Sequence, residues 1–136
     1  MKLSIPAFLF LSFISIFISN CQSNDYEQSE GLYNYFCANC HMEDGTGLPG
    51  VIPPLKGADY LKADPLRAAC IIRYGMEGAV VVNDTTYNQP MPGIPEDKIS
   101  AFEITNIINY INQAWGNDYG YVNYVDVKKQ LEACKK

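Results

Sequence analysis

The chain of 136 residues contains one histidine, His41, and one tryptophan, Trp115. A single imidazole excludes any site that needs two. Basic residues are also few: ten Lys and Arg stand against fifteen Asp and Glu, for a net charge of −5. That balance argues against nucleic acid, whose binding needs a basic patch, and against electrostatic adhesion to anionic lipid. No apolar run reaches the about 20 residues that cross a bilayer as a helix. The glycine-rich stretch Asp44 to Gly50 follows no strand and precedes no Lys-Ser/Thr pair, so it lacks the context of a phosphate-cradling loop. No internal repeat and no low-complexity tract is found.

What the chain does have is Cys37-Ala38-Asn39-Cys40-His41. CxxCH is the attachment signature of a c-type haem. Thiols at i and i+3 share one side of a helical turn, where they can add to the two vinyl groups along one edge of the macrocycle. The adjacent histidine then lies under the iron and offers a ring nitrogen as an axial ligand. Other uses of a CxxC pair fit worse. A redox-active dithiol wants a βαβ setting, and the residues before Cys37 read as a helix. A structural zinc site wants two closely spaced ligand pairs, whereas Cys70 and Cys134 are single and far apart.

Residues 1–20 read as an export signal: Lys2 supplies the positive start and Leu3 to Ile18 the apolar stretch. The segment ends Ile18-Ser19-Asn20-Cys21, which resembles a bacterial lipobox, with Asn20 where Gly or Ala is usual. Cys21 is therefore the expected lipidation site, and the expected location is the periplasmic face of a bacterial membrane, reached through the N-terminal lipid. A conventionally cleaved soluble protein is the alternative. Residues 21–25 would be a short tether and 26–136 one domain. Without Lys2, nine basic residues face fifteen acidic ones, which favours a partner with a basic docking patch. Cys70 and Cys134 remain, either bonded to each other in an oxidising compartment or buried as free thiols.

Asp25 is placed to cap a helix carrying Leu32, Tyr33 and Phe36, with Gln28 three residues on. Asp64-Pro65 reads as the start of another, closed by Gly75. Val80 to Val82 before Asn83-Asp84 predicts a short strand and turn near 80–88. Ser100 and Glu103 form a capping box ahead of a helix whose buried stripe is Ile104, Ile107, Ile108, Ile111 and Trp115, with Asn106, Asn109 and Asn112 on the wet side. A last helix spans about Asn123 to Cys134 and buries Val127 and Leu131.

With no second histidine, a methionine thioether is the natural sixth ligand. Met42 adjoins His41 and cannot reach the opposite face. Met76 follows the Gly75 stop and reads as a packing residue. Met91 lies between Pro90 and Pro92, which restrict the backbone on both sides and can hold a weak donor in place.

Taken together, Leu32-Tyr33-x-x-x-Cys37-x-x-Cys40-His41, Pro53-Pro54-Leu55-x-Gly57, Tyr87-x-x-x-Met91-Pro92 and Ile104 to Trp115 resemble a class I cytochrome c. The likeness covers about residues 26–133 and is nearest to small membrane-tethered bacterial monohaem domains. It implies an all-α fold wrapped round one covalent haem c, with Gly31 packed on Tyr110 where the first and last main helices cross. It also implies that a proline carbonyl accepts the His41 Nδ1 proton; Pro53 is the better match and Pro54 the alternative. Met42 departs from the family's usual glycine after the histidine. The function implied is one-electron transfer to or from a redox protein, namely an oxidase, reductase or dehydrogenase, with no catalytic residues. A subunit of a larger oxidoreductase is the alternative. A gas sensor or peroxidase fits less well, because these need an open sixth position, and peroxide chemistry also a distal acid or base.

Overall fold

The computed structural model describes residues 24–134. The leader, Cys21 and the first part of the expected tether lie outside the described residues. The elements run α1 (Asn24–Phe36), α2 (Ala38–His41), α3 (Asp59–Ala63), α4 (Arg67–Tyr74), β1 (Val80–Val82), β2 (Thr85–Tyr87), α5 (Ala101–Gln113), a 3-10 turn (Ala114–Gly116) and α6 (Tyr124–Ala133). This is an all-α arrangement with one antiparallel hairpin among the described residues. No helix among them is long and apolar enough to cross a membrane.

α5 is the spine. Its Ser100–Glu103 capping box forms as expected, satisfying orphan N–H groups at the helix start. Ile104, Ile107, Ile108 and Ile111 are buried, and α1 and α6 pack against them. α1 is fastened to α5 by aromatic rings: Tyr33 lies 5.2 Å from Tyr110 and 5.1 Å from Trp115, centroid to centroid. Such spacing suits tilted and edge-on pairs. α6 closes over α4 and α5 with Val127 and Leu131 buried. A disulfide joins Cys70 on α4 to Cys134 just past α6.

Several details differ from the sequence reading. Gly31 does not meet Tyr110: a methyl added there would touch nothing within 4 Å. Tyr110 is instead flanked by Tyr26 and Tyr33 and donates to Glu30. The crossing is thus filled by aromatic area rather than by close backbone approach. Asn24 and Asp25 are already helical, so Asp25 sits in the first turn and not at the cap. Asp64-Pro65 does not open α4, which starts at Arg67 after a turn. Asp64 stays extended, ends α3 and pairs with Arg67. α3 itself is too short to leave a periodic signal.

The end of α5 also departs from the simple stripe. The helix stops at Gln113, and Trp115 has a left-handed backbone with φ 57°. Asn112 is 2 % exposed and donates to the Gly120 carbonyl. Asn109 exchanges two bonds with the Val122 backbone. Side-chain amides carry both a donor and an acceptor, so these asparagines serve the 117–123 segment as a strand partner would.

Candidate functional site

The structure brings Cys37, Cys40, His41, Pro53, Met76 and Met91 to one cleft. Its other walls are mostly apolar, with Leu61 and Ile72 from the helices and Val80, Val82 and Tyr87 from the hairpin. No Asp, Glu, Lys or Arg lines it among the described residues. An apolar lining with a few convergent donors is the usual make-up of a site for a large, mostly apolar ligand.

The histidine wall is built locally. α1 runs into α2, with Cys37 donating its N–H to the Tyr33 carbonyl and His41 to that of Cys37. Cys37 is buried and Cys40 exposed, and both thiols are free. Burial, with the neighbouring Cys40, pushes the Cys37 thiol up to about 12. His41 is 8 % exposed. Burial holds it below its ordinary range, and the bond to Pro53 acts in the opposite sense. The net lowering favours the neutral ring, the form that binds a metal. Its Nδ1 lies 3.1 Å from the Pro53 carbonyl oxygen, which leaves Nε2 for the cleft.

The loop from Met42 to Pro54 delivers that carbonyl. Gly47 donates to the His41 carbonyl, and its φ of 65° brings its α-carbon under the Ile52 and Pro53 carbonyls. A methyl there would come within 2.5 Å of the Ile52 oxygen, so only glycine fits. Met42, at the expected glycine position, keeps a glycine-like backbone of φ 64°, ψ 156°. The buried Tyr33 hydroxyl donates to its carbonyl at 2.6 Å, and the Trp115 indole N–H donates to the carbonyl of Glu43. These two hydrogen bonds escaped the sequence reading, which set Tyr33 on the first helix and Trp115 on the buried stripe of the helix after Ser100.

Met76 and Met91 form an isolated antiparallel bridge, each N–H donating to the other's carbonyl at 2.9 Å. Both line the cleft. Met76 is therefore a direct neighbour of Met91 as well as a packing residue. The hairpin carries the opposite edge, with Val80 paired to Tyr87 and Val82 to Thr85. Its Asn83-Asp84 turn has positive φ at both residues, as a type I′ turn demands. Asn83 exchanges two bonds with Asp59, which ties the hairpin to α3.

Helices wrapped round an apolar cleft, with two thiols and a neutral, oriented imidazole on its wall, define a protein that holds one haem covalently. Residues 27–115 match the family model described as cytochrome c. The chain is 33 % identical over 122 residues to a cytochrome c-552 of Thermus thermophilus, covering 86 % of this chain and 74 % of that one. It is also 33 % identical over 101 residues to the cytochrome c subunit of the quinone alcohol dehydrogenase of Gluconobacter oxydans, covering 72 % of this chain and 20 % of that one. The chain belongs to the cytochrome c family: it is a class I monohaem c-type cytochrome, an electron-transfer protein with one haem c.

Proposed function

We propose that the haem is bonded through Cys37 and Cys40, that His41 and Met91 are its axial ligands, and that the protein relays single electrons between redox proteins outside the cytoplasm. Haem c, when bound, supplies a one-electron couple between ferrous and ferric iron. The observation that carries the reading is that the His41 ring and the Met91 loop face one uncharged cleft. Pro53 holds the imidazole in one tautomer and increases its basicity. The mostly apolar walls limit access of water and, with thioether ligation, favour the ferrous state and a comparatively high potential.

The oxidised holoprotein is expected to show the weak near-infrared band of sulfur-to-iron charge transfer. Met91→Ala should abolish that band and lower the potential, while Met76→Ala should keep it. The reverse result would move the role to Met76.

The leader and Cys21 support a tethered carrier, since two acyl chains suffice for stable anchoring where one does not. Mass spectrometry of the native N-terminus should find a diacyl or triacyl group on Cys21. An unacylated mature protein starting elsewhere would end that part of the reading. The likeness to a dehydrogenase's cytochrome subunit favours a second possibility, a fixed place in a larger oxidoreductase. Co-purification of such an enzyme with tagged protein from native membranes would support it, and recovery of the free monohaem protein would oppose it.

A further inference from the structure

The Met91 loop is seated on the end of α4. A helix leaves its last carbonyls without partners in the helix, and here the loop supplies one for Ile72: Ile94 donates its N–H to the Ile72 carbonyl at 2.8 Å. Gly93 packs so tightly that a methyl there would fall 2.6 Å from the Arg73 oxygen. Behind this contact is Arg73, 9 % exposed. Its Nη1 donates to the Ile94 carbonyl at 3.0 Å and its Nη2 to the Ile99 carbonyl at 2.7 Å. The ion pairs among the described residues are Arg67–Asp64 and Lys98–Asp97, so the Arg73 guanidinium is held by carbonyls alone. Arg73 does not line the cleft.

A buried charge is costly unless its hydrogen bonds are made, and both of these bonds go to the segment that follows Met91. The planar fork fixes two carbonyls five residues apart, in a way a lysine could not copy. We infer that Arg73 is the positioning residue of the methionine ligand: its guanidinium clamps Ile94 and Ile99, so the Met91 loop stays shut and the thioether resists displacement. This inference rests on Met91 as the sixth ligand.

The test uses the ferric holoprotein and imidazole as a competing ligand. Displacing the thioether requires the loop to lift, so loosening the clamp raises the affinity for imidazole. Arg73→Met keeps the apolar stem and removes the fork; Arg73→Lys keeps the charge and offers a point donor. Arg73→Met should bind imidazole at least about tenfold more tightly than the parent, the scale of the bonds lost, and Arg73→Lys should fall between. Val127→Ala, a core truncation on α6, should lower Tm without raising imidazole affinity. Unchanged affinity in both Arg73 variants overturns the inference, as does an equal rise in Val127→Ala at matched loss of Tm. Should Arg73→Met fail to fold, the comparison of Arg73→Lys with Val127→Ala decides. Met91→Ala separates the two levels: a band that survives it removes the ligand assignment, whereas a band lost there with Arg73 variants unchanged removes Arg73 alone.

Discussion

The Nδ1 of His41 and the carbonyl oxygen of Pro53 stand 3.1 Å apart across twelve residues of sequence. The ring N–H donates and the carbonyl accepts, so the imidazole is locked with its other nitrogen turned to the cleft. That lock depends on a loop whose geometry is set by Gly47. Orientation is thus provided by backbone rather than by a second ionisable group, and it does not vary with pH through a titrating partner.

Gly47→Ala should break this arrangement. The added methyl would meet two carbonyls at 2.5 and 2.6 Å on a left-handed backbone, a combination of strain and overpacking that costs on the order of 2–4 kcal/mol. Thermal melting of the holoprotein should show the loss. The slowly exchanging imidazole Nδ1 proton of the ferrous form should broaden or vanish by NMR. A variant as stable as the parent with that proton intact would contradict the role given to the loop.

Met42→Gly should stabilise the protein. A non-glycine residue at φ 64°, ψ 156° carries strain of roughly 1–3 kcal/mol, against a glycine entropy cost of about 0.5–1 kcal/mol. The Met42 side chain is 36 % exposed and lies outside the hydrophobic core. A net gain of about 1 kcal/mol, read as a Tm higher by several degrees, is expected. A lower Tm would show that the thioether side chain packs on the bound group.

Tyr33 gives the alkaline limb of the stability curve. Burial, then the neighbouring Cys37 and Tyr110, raise its phenol well above the ordinary 10. The unfolded chain ionises first, so this contribution is complete below pH 10 and is lost as pH rises beyond it. Tyr33→Phe should cost roughly 1 kcal/mol at pH 7 through the lost bond to the Met42 carbonyl. Its urea-derived stability should then fall less steeply above pH 10 than the parent's, with Tyr110 and Tyr119, whose phenols burial also raises, contributing to the remaining slope. Parallel alkaline limbs would refute the assignment.

Covalent attachment is tested by extraction. Holoprotein made in a host with a haem-ligation system should keep its colour in the protein pellet through acid-acetone treatment. The Cys37→Ala, Cys40→Ala double variant should release it to the acetone supernatant. Release from the parent would exclude thioether bonds.

The candidate site was legible because it is written in chemically rare residues with local signatures. Cys37, Cys40 and His41 are neighbours on one turn, and Met91 is marked by its two prolines. The capping box at Ser100 and the Asn83-Asp84 turn were legible for the same reason, since each is a local bond pattern. What escaped depends on distant partners. Asn112 looks wet from its helical position and is buried only because the 117–123 chain folds back onto it. Gly31 suggested a close helix crossing, yet the contact is made by Tyr33 and Tyr26. Arg73 falls at helical spacing with Leu66, Ala69 and Cys70, and its bonds form only where the chain at Ile94 and Ile99 closes over it.

The bond between Cys70 and Cys134 spans 64 residues, and within that ring lie the hairpin, the Met91 loop and α5. Hydrolysis of one peptide bond inside it therefore does not divide the molecule. A protease outside the cell's cytoplasm that cut at the exposed Asn83-Asp84 turn would leave two chain ends on one still-linked body. Only a reductant acting together with the protease could take the methionine half of the cleft away from the histidine half.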